Sequence, residues 1–187
     1  MRVIAGSARG LKLTAPVGPR TRPTADRVKE ALFSIIASRR ELVGARILDI
    51  CAGTGSLGIE ALSRGAASCC FIEQERLVAA ILEKNLAKAA LAGRGECLSL
   101  DAVKGLKQLS QQGKAFDIVF FDPPYSSDLY ASVPEALSTL SLLADGGLLV
   151  VESSARSRPA EQYGLLARID RRVYGDTALE FFMRETP

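Results

Sequence analysis

The 187-residue chain contains no histidine. That absence excludes Ser-His-Asp and Cys-His catalysis, together with every histidine-ligated metal site. Cysteine is scarce. Cys51, Cys69, Cys70 and Cys97 form no C-x-x-C pair. Adjacent Cys69 and Cys70 would point to opposite faces of a strand. A zinc site or disulfide framework is therefore not expected, and the four read as small buried residues in a reducing compartment. No apolar run is long enough to cross a membrane, and the N-terminus has no apolar signal core, so a cytoplasmic location without a membrane partner is expected. No internal repeat or low-complexity stretch is present. Charge of one sign is also modest, at a net +3.

Hydrophobic residues make up 48% of the chain and charged residues 24%, which suits an ordered globular protein. The length suggests one domain with a small extension, and it can bury a sizeable core without staples. Charge is unevenly placed. Up to Arg46 there are ten Lys or Arg residues, against Asp26, Glu30 and Glu41. A basic front on a near-neutral body suits contact with phosphates.

"RVIAG" and "LKLTAP" read as short strands of a hairpin, and "VGPRTRP" as irregular chain. A helix is expected from about Thr24, with Val28, Ala31, Leu32, Ile35 and Ile36 on one buried stripe. From Arg46 strands and helices alternate. "RILDICA", "ASCCFIEQ", "GECLSLDA", "FDIVFFD" and "GGLLVVESS" read as strands, most of them apolar on both faces. That pattern implies a parallel sheet covered by helices on both sides. "LLARIDRRVYG" and "TALEFFMR" read as an antiparallel pair joined by a Gly-Asp turn. The expected division is an extension over 1–23 and an α/β domain over 24–187.

Ligands of such sheets bind beyond the carboxyl ends of the strands. "GTGSLG", residues 53–58, follows the first strand and fits G-x-G-x-x-G, the fingerprint of a dinucleotide turn. Glu73 ends the second strand, where a carboxylate can accept ribose hydroxyls. Two features point away from a dinucleotide. Asp49 lies within the first strand, where it would repel a pyrophosphate but suit a cationic amino group. Asp101 ends the third strand, where it can accept an adenine amino group or cap the next helix. One carboxylate each for an amine, a ribose and an adenine describes S-adenosylmethionine.

"DPPY", residues 122–125, follows the fourth strand. Two prolines cannot continue a ladder, so they fix a turn that exposes carbonyls. Asp122 and the Pro123 carbonyl then form paired acceptors for an exocyclic amino group, and Tyr125 can stack on the base. Adenine-N6 methylation of DNA, hydride transfer from a nicotinamide, and RNA binding without catalysis remain open as alternatives.

"DPPY" resembles the motif of amino-group methyltransferases. "MRVIAGSARGLKL", "TRPTADRVKEALF", "LDICAGTGSLGIEALSRGA", "FIEQE", "FDIVFFDPPY" and "YGDTALEFF" together resemble the RsmD family of small-subunit ribosomal RNA guanine-N2 methyltransferases. The resemblance spans nearly the whole chain. It implies a Rossmann-like class I methyltransferase fold: a mostly parallel seven-stranded sheet with a C-terminal antiparallel hairpin and a small N-terminal hairpin and helix. It also implies S-adenosylmethionine held by Asp49, Ala52, Gly53, Thr54, Gly55, Glu73, Asp101, Ala102 and Asp122. Asp122, Pro123, Pro124 and Tyr125 would hold the guanine. Arg9, Arg20, Arg22 and Arg27, with Thr24, would meet RNA or close over the cofactor. The implied partner is 16S ribosomal RNA within an assembling small subunit, met by a monomer. No metal is implied.

Overall fold

The structure, a computed structural model, describes residues 1–16, 26–124, 127–157 and 159–184. Its strands are β1 (Arg46–Ile50), β2 (Ser68–Ile72), β3 (Gly95–Leu98), β4 (Phe116–Phe121), β5 (Leu143–Ser154), β6 (Gln162–Tyr163), β7 (Leu166–Tyr174) and β8 (Thr177–Arg184). Its α-helices are α1 (Asp26–Arg39), α2 (Ser56–Ser63), α3 (Arg76–Lys88), α4 (Ala102–Gln111) and α5 (Leu129–Thr139). All strands join one sheet in the order β3-β2-β1-β4-β5-β8-β7-β6. The first five strands pair in parallel, and β8, β7 and β6 are added through successive antiparallel pairings.

The sheet has eight strands, not the expected seven. The addition is β6, two residues long, pairing Gln162 with Ala167 and Tyr163 with Leu166. So short a strand has no readable period. β5 also begins earlier than expected, at Leu143, because its register against β4 shifts and lets Leu143 pair with Phe116. The terminal antiparallel pair forms as expected, with Gly175 at φ 61 in the turn.

Strand alternation divides the core in two. Ile47, Phe71, Ile118, Phe120, Leu148 and Val150 face α1, α2 and the N-terminal segment. Leu48, Ile50, Ile72, Val119, Phe121 and Val151 face α4 and α5. Cys69 and Cys70 fall into different halves, as their adjacency required. All four cysteines are free thiols.

The N-terminal segment carries one antiparallel bridge, Arg2 to Lys12. Val3 and Leu13 are buried in the main core. The Glu60 carboxylate accepts the Ile4 and Ala5 amides at 2.7 and 3.0 Å, while Ser63 Oγ donates to Ala5 O at 2.6 Å. Lys29 is fully buried and forms an ion pair with Glu60 at 3.2 Å. It also donates to Arg2 O at 2.6 Å. Lys29 therefore belongs to the core and not to the phosphate-facing charge of the basic front. Breaking such a buried pair from one side costs about 3–5 kcal/mol.

Candidate active site

The chain builds β1, β2 and β3 in one direction and then places β4 on the other side of β1. That reversal opens a crevice between the carboxyl ends of β1 and β4. Asp122 N donates across it to Ile50 O at 3.4 Å. The glycine turn and the DPP turn therefore stand side by side.

The glycine turn is tightly wound. Cys51, Gly53 and Gly55 have φ of 60, 55 and 82. A non-glycine residue at such a φ is strained, and strain of this kind gathers at binding sites. The turn is held by Ala52 N to Ile72 O at 3.1 Å and Gly55 N to Ala52 O at 2.8 Å. The glycines differ in purpose. A Cβ on Gly58 would meet the Phe71 ring at 2.2 Å and Cys69 Sγ at 2.6 Å, so Gly58 lets α2 lie on β2. A Cβ on Gly53 would meet nothing within 4 Å, so its backbone faces open space in which a ligand can approach. Thr54 is buried, and its carbonyl accepts the buried Asn85 amide at 3.1 Å.

Asp49 is 2% exposed and accepts the Gly58 amide at 2.9 Å. It thus occupies the amino end of α2 with its own carboxylate. A pyrophosphate needs that helix end for itself, so this turn does not suit a dinucleotide. Glu73 accepts the Gly53 amide at 2.8 Å and the Glu75 amide at 2.9 Å, one on each oxygen. Each oxygen keeps a further lone pair for a hydroxyl. Asp101 caps α4, accepting the Lys104 amide at 3.0 Å, and pairs with Lys104 Nζ at 3.0 Å. Those bonds hold its carboxyl below the usual range. Ala102 opens α4 and is buried. Asp101 does not end the third strand as expected: β3 stops at Leu98, and both residues lie just past it, beyond the edge strand two positions away from β1.

Pro123 is buried and Pro124 exposed. Tyr130, on α5, lies against the Phe121 ring with centroids 5.9 Å apart. Its hydroxyl is 3.0 Å from Glu152 O and 3.4 Å from Pro123 O. One proton serves both carbonyls, so this tyrosine pins the DPP turn to β5. Tyr125 lies outside the described residues, as do Arg20, Arg22 and Thr24. Arg9 and Arg27 are exposed.

Carboxylates dominate the electrostatics. Burial pushes the Asp49 carboxyl up to about 7; the Gly58 amide opposes this and the Glu73 charge adds to it. Burial, followed by the charges of Glu152 and Asp49, raises Asp122 well above the usual carboxyl range. Burial and the charges of Glu73, Asp122 and Asp49 push the Cys51 thiol up to about 12, so it is no nucleophile. Carboxylates held against their own ionisation suit a cationic ligand. A sulfonium that also carries an ammonium fits this set of groups.

Three contributors went unmarked in the sequence: Glu152, Tyr130 and Asn85. Glu152 had a legible signal. "LVVE" is an apolar run ending in a carboxylate, like "FIE" and "FFD" before it. Tyr130 and Asn85 sit among ordinary helical residues, and only the tertiary structure reveals their partners.

The family model described as "Conserved hypothetical protein 95" matches residues 1–183. The "Ribosomal RNA small subunit methyltransferase D" of Escherichia coli K12 is 38% identical over 185 residues, spanning 99% of this chain and 90% of the relative. The solved structure of the E. coli protein yhhF superposes with a TM-score of 0.87 at 37% identity, covering 100% of this chain and 99% of that one. An RNA methyltransferase from Salinibacter ruber, solved with S-adenosyl-L-homocysteine, shares the fold at a TM-score of 0.67 and 16% identity, over 89% of this chain and 97% of its own. The fold is that of the class I methyltransferases. By its sequence and its fold, the chain belongs to the family described as conserved hypothetical protein 95, the RsmD family that its motifs resemble.

Proposed function

We propose that the protein methylates the exocyclic N2 amino group of a guanine in small-subunit ribosomal RNA. One arrangement carries this reading: an amine-accepting turn, Asp122–Pro123, beside an open glycine turn that is ringed by carboxylates. The cofactor is S-adenosylmethionine, which supplies a methyl group already activated on a sulfonium. On this reading Asp49 serves its ammonium and Glu73 its ribose, Gly53 and Gly55 let the backbone approach, and Asp101 and Ala102 serve the adenine.

Asp122 and the Pro123 carbonyl orient the amine. They accept its two hydrogens and so aim the nitrogen lone pair at the methyl carbon. Positioning of this kind is worth several kcal/mol. As the new bond forms, positive charge grows on the nitrogen, and Asp122 stabilises it. A carboxyl raised toward neutrality is suited to taking the departing proton. Pro124 stiffens the turn, and Tyr125 is assigned to stack on the base. The segment 1–23, with Arg9, Arg20 and Arg22, serves the 24–187 domain as an RNA-contacting extension, together with Arg27. The substrate is 16S RNA in an assembling subunit, met in the cytoplasm by a monomer. A paired guanine is extruded from its helix before reaction.

The test supplies S-adenosylmethionine with a deuterated methyl group, together with unmodified small subunits, naked ribosomal RNA or DNA. Each product is digested to nucleosides and weighed. Labelled N2-methylguanosine from subunits is the expected result. Label on DNA adenine, or no label in the presence of bound cofactor, overturns the proposal.

A further inference from the structure

Among the described residues, one buried carboxylate beside the reacting turn has no task in the mechanism above. Glu152 is 8% exposed and lies on β5, next to β4. The parallel register pairs Phe121 with Val151. Asp122 and Glu152 each follow that pair by one residue, Asp122 just past the end of β4 and Glu152 still within β5. By strand alternation both belong to the face of Phe120 and Val150, which also carries Asp49. The Tyr130 hydroxyl ties the two strands together at this level, through Pro123 O and Glu152 O. The charge of Glu152 acts on Asp122 more strongly than that of Asp49 does.

With the positive charge of the cofactor beside them, both carboxylates are ionised and form a pattern of acceptors, and the bases that carry an exocyclic amine answer it differently. Guanine presents a ring N1–H directly beside its N2 amine, so two donors point the same way. Adenine presents a bare N1 beside its amine, and cytosine a bare N3. An ionised carboxylate facing a bare ring nitrogen is left without a hydrogen bond, and its charge is repelled.

From this register we infer that Glu152 is the specificity-determining residue of the base pocket, accepting guanine N1–H while Asp122 and Pro123 accept the N2 amine. The inference rests on the amino-methylation reading above and supplies from this chain's own residues the reason for guanine.

The probe is 2-aminopurine, which keeps the N2 amine but has an acceptor at N1. Deuterated-methyl transfer first locates the methylated guanosine. Subunits are then reconstituted on RNA carrying guanosine or 2-aminopurine riboside at that position. The unaltered protein is expected to favour guanosine in kcat/KM by about 100-fold, the worth of one hydrogen bond to a charged group. Glu152→Gln offers an amide donor to a bare N1. It is expected to narrow that preference below about tenfold, with an unchanged Kd for S-adenosylhomocysteine.

Equal use of both bases by the unaltered protein overturns the inference, whether or not the variant folds. So does a Glu152→Gln variant that retains the full preference, or that loses both substrates in the same proportion. If the unaltered protein labels no guanosine in any RNA, the proposed function falls and the inference falls with it. If guanosine is labelled and only the discrimination fails, the inference alone falls.

Discussion

Two aspartates, Asp117 within β4 and Asp122 just past its last residue, stand at opposite ends of the same strand. Asp117, at the amino end, meets Arg46 of β1 in a fork, with Nε and Nη2 at 3.1 and 3.0 Å, and also accepts the Arg46 amide at 2.8 Å. Its carboxyl is held below the usual range by those bonds. Asp122, at the carboxyl end, is driven the other way by burial and by neighbouring carboxylates. β1 repeats the contrast, since it begins at paired Arg46 and carries buried Asp49 near its end. The amino end even holds a cavity of about 410 Å³, lined in part by Arg46, Arg94, Glu96 and Lys114. Arg46 is committed there to Asp117 and Arg94 to Ala66 O, while Lys114 lies 3.7 Å from Glu96. Cavity size and charge held at a cost thus mark opposite ends of the sheet, and the second is the feature that clusters at functional sites.

The largest test of this contrast is Asp122→Asn. It is expected to lower kcat by about 100- to 1000-fold, the scale seen when a group that stabilises transition-state charge is removed. Cofactor affinity, measured by calorimetry, should fall far less. An equal loss in both would erase the distinction between the DPP turn and the glycine turn.

Asp49→Asn comes next and should move function and stability in opposite directions. Its amide oxygen can still accept the Gly58 amide, but the charge offered to the cofactor's ammonium is gone. Affinity for S-adenosylmethionine is expected to fall by at least about tenfold, the lower end of the worth of a charged hydrogen bond. Urea unfolding at pH 8 should show the variant more stable than its parent, since a buried charge has been removed.

The pH dependence sharpens the same point. Asp49 has a folded value of about 7, above the unfolded carboxyl value. The stability it contributes is fully present below about pH 4 and is lost as the pH rises through 7. Asp117 has the opposite sign. Its contribution is present above the unfolded value and is lost as the pH falls through its depressed folded one. The stability gap between Asp49→Asn and its parent should therefore widen from pH 5 to pH 8. A gap that narrows over that range would refute the assigned shift.

The smallest effect belongs to Asp117→Asn. The loss should stay below about 1 kcal/mol, because this ion pair is half open to water. Methylation should be unchanged. A large loss of activity would remove the contrast between the two ends of the sheet.

Much of this fold was legible because its elements repeat one physical pattern, apolar strand then amphipathic helix. The three glycines of "GTGSLG" were legible as a turn, but their separate purposes were not. Only the tertiary structure shows that Gly58 makes room for Phe71 while Gly53 faces open space. Asp49, Glu73 and Asp122 could be found because each terminates or interrupts an apolar run. That Asp49 would accept an amide from α2 depends on where the helix begins, which sequence fixes poorly. The run "LVVE" marked Glu152 as a strand-end carboxylate, but that it stands next to Asp122 comes from the pairing of β4 with β5, a long-range register that no local pattern encodes. The basic front was legible only as charge. Lys29 shows why counting is insufficient, since a cation that faces a buried Glu60 is part of the core.

Asn85 carries one further consequence. Its single amide accepts the Thr14 amide at 2.8 Å and donates to Thr14 O at 3.0 Å and Thr54 O at 3.1 Å. Peeling the N-terminal segment away strands a buried amide that also steadies the glycine turn. The segment and the turn thus share one cooperative unit. Amide hydrogens near Thr14 and those of the turn should exchange together, and any ligand that tightens one will slow exchange in the other.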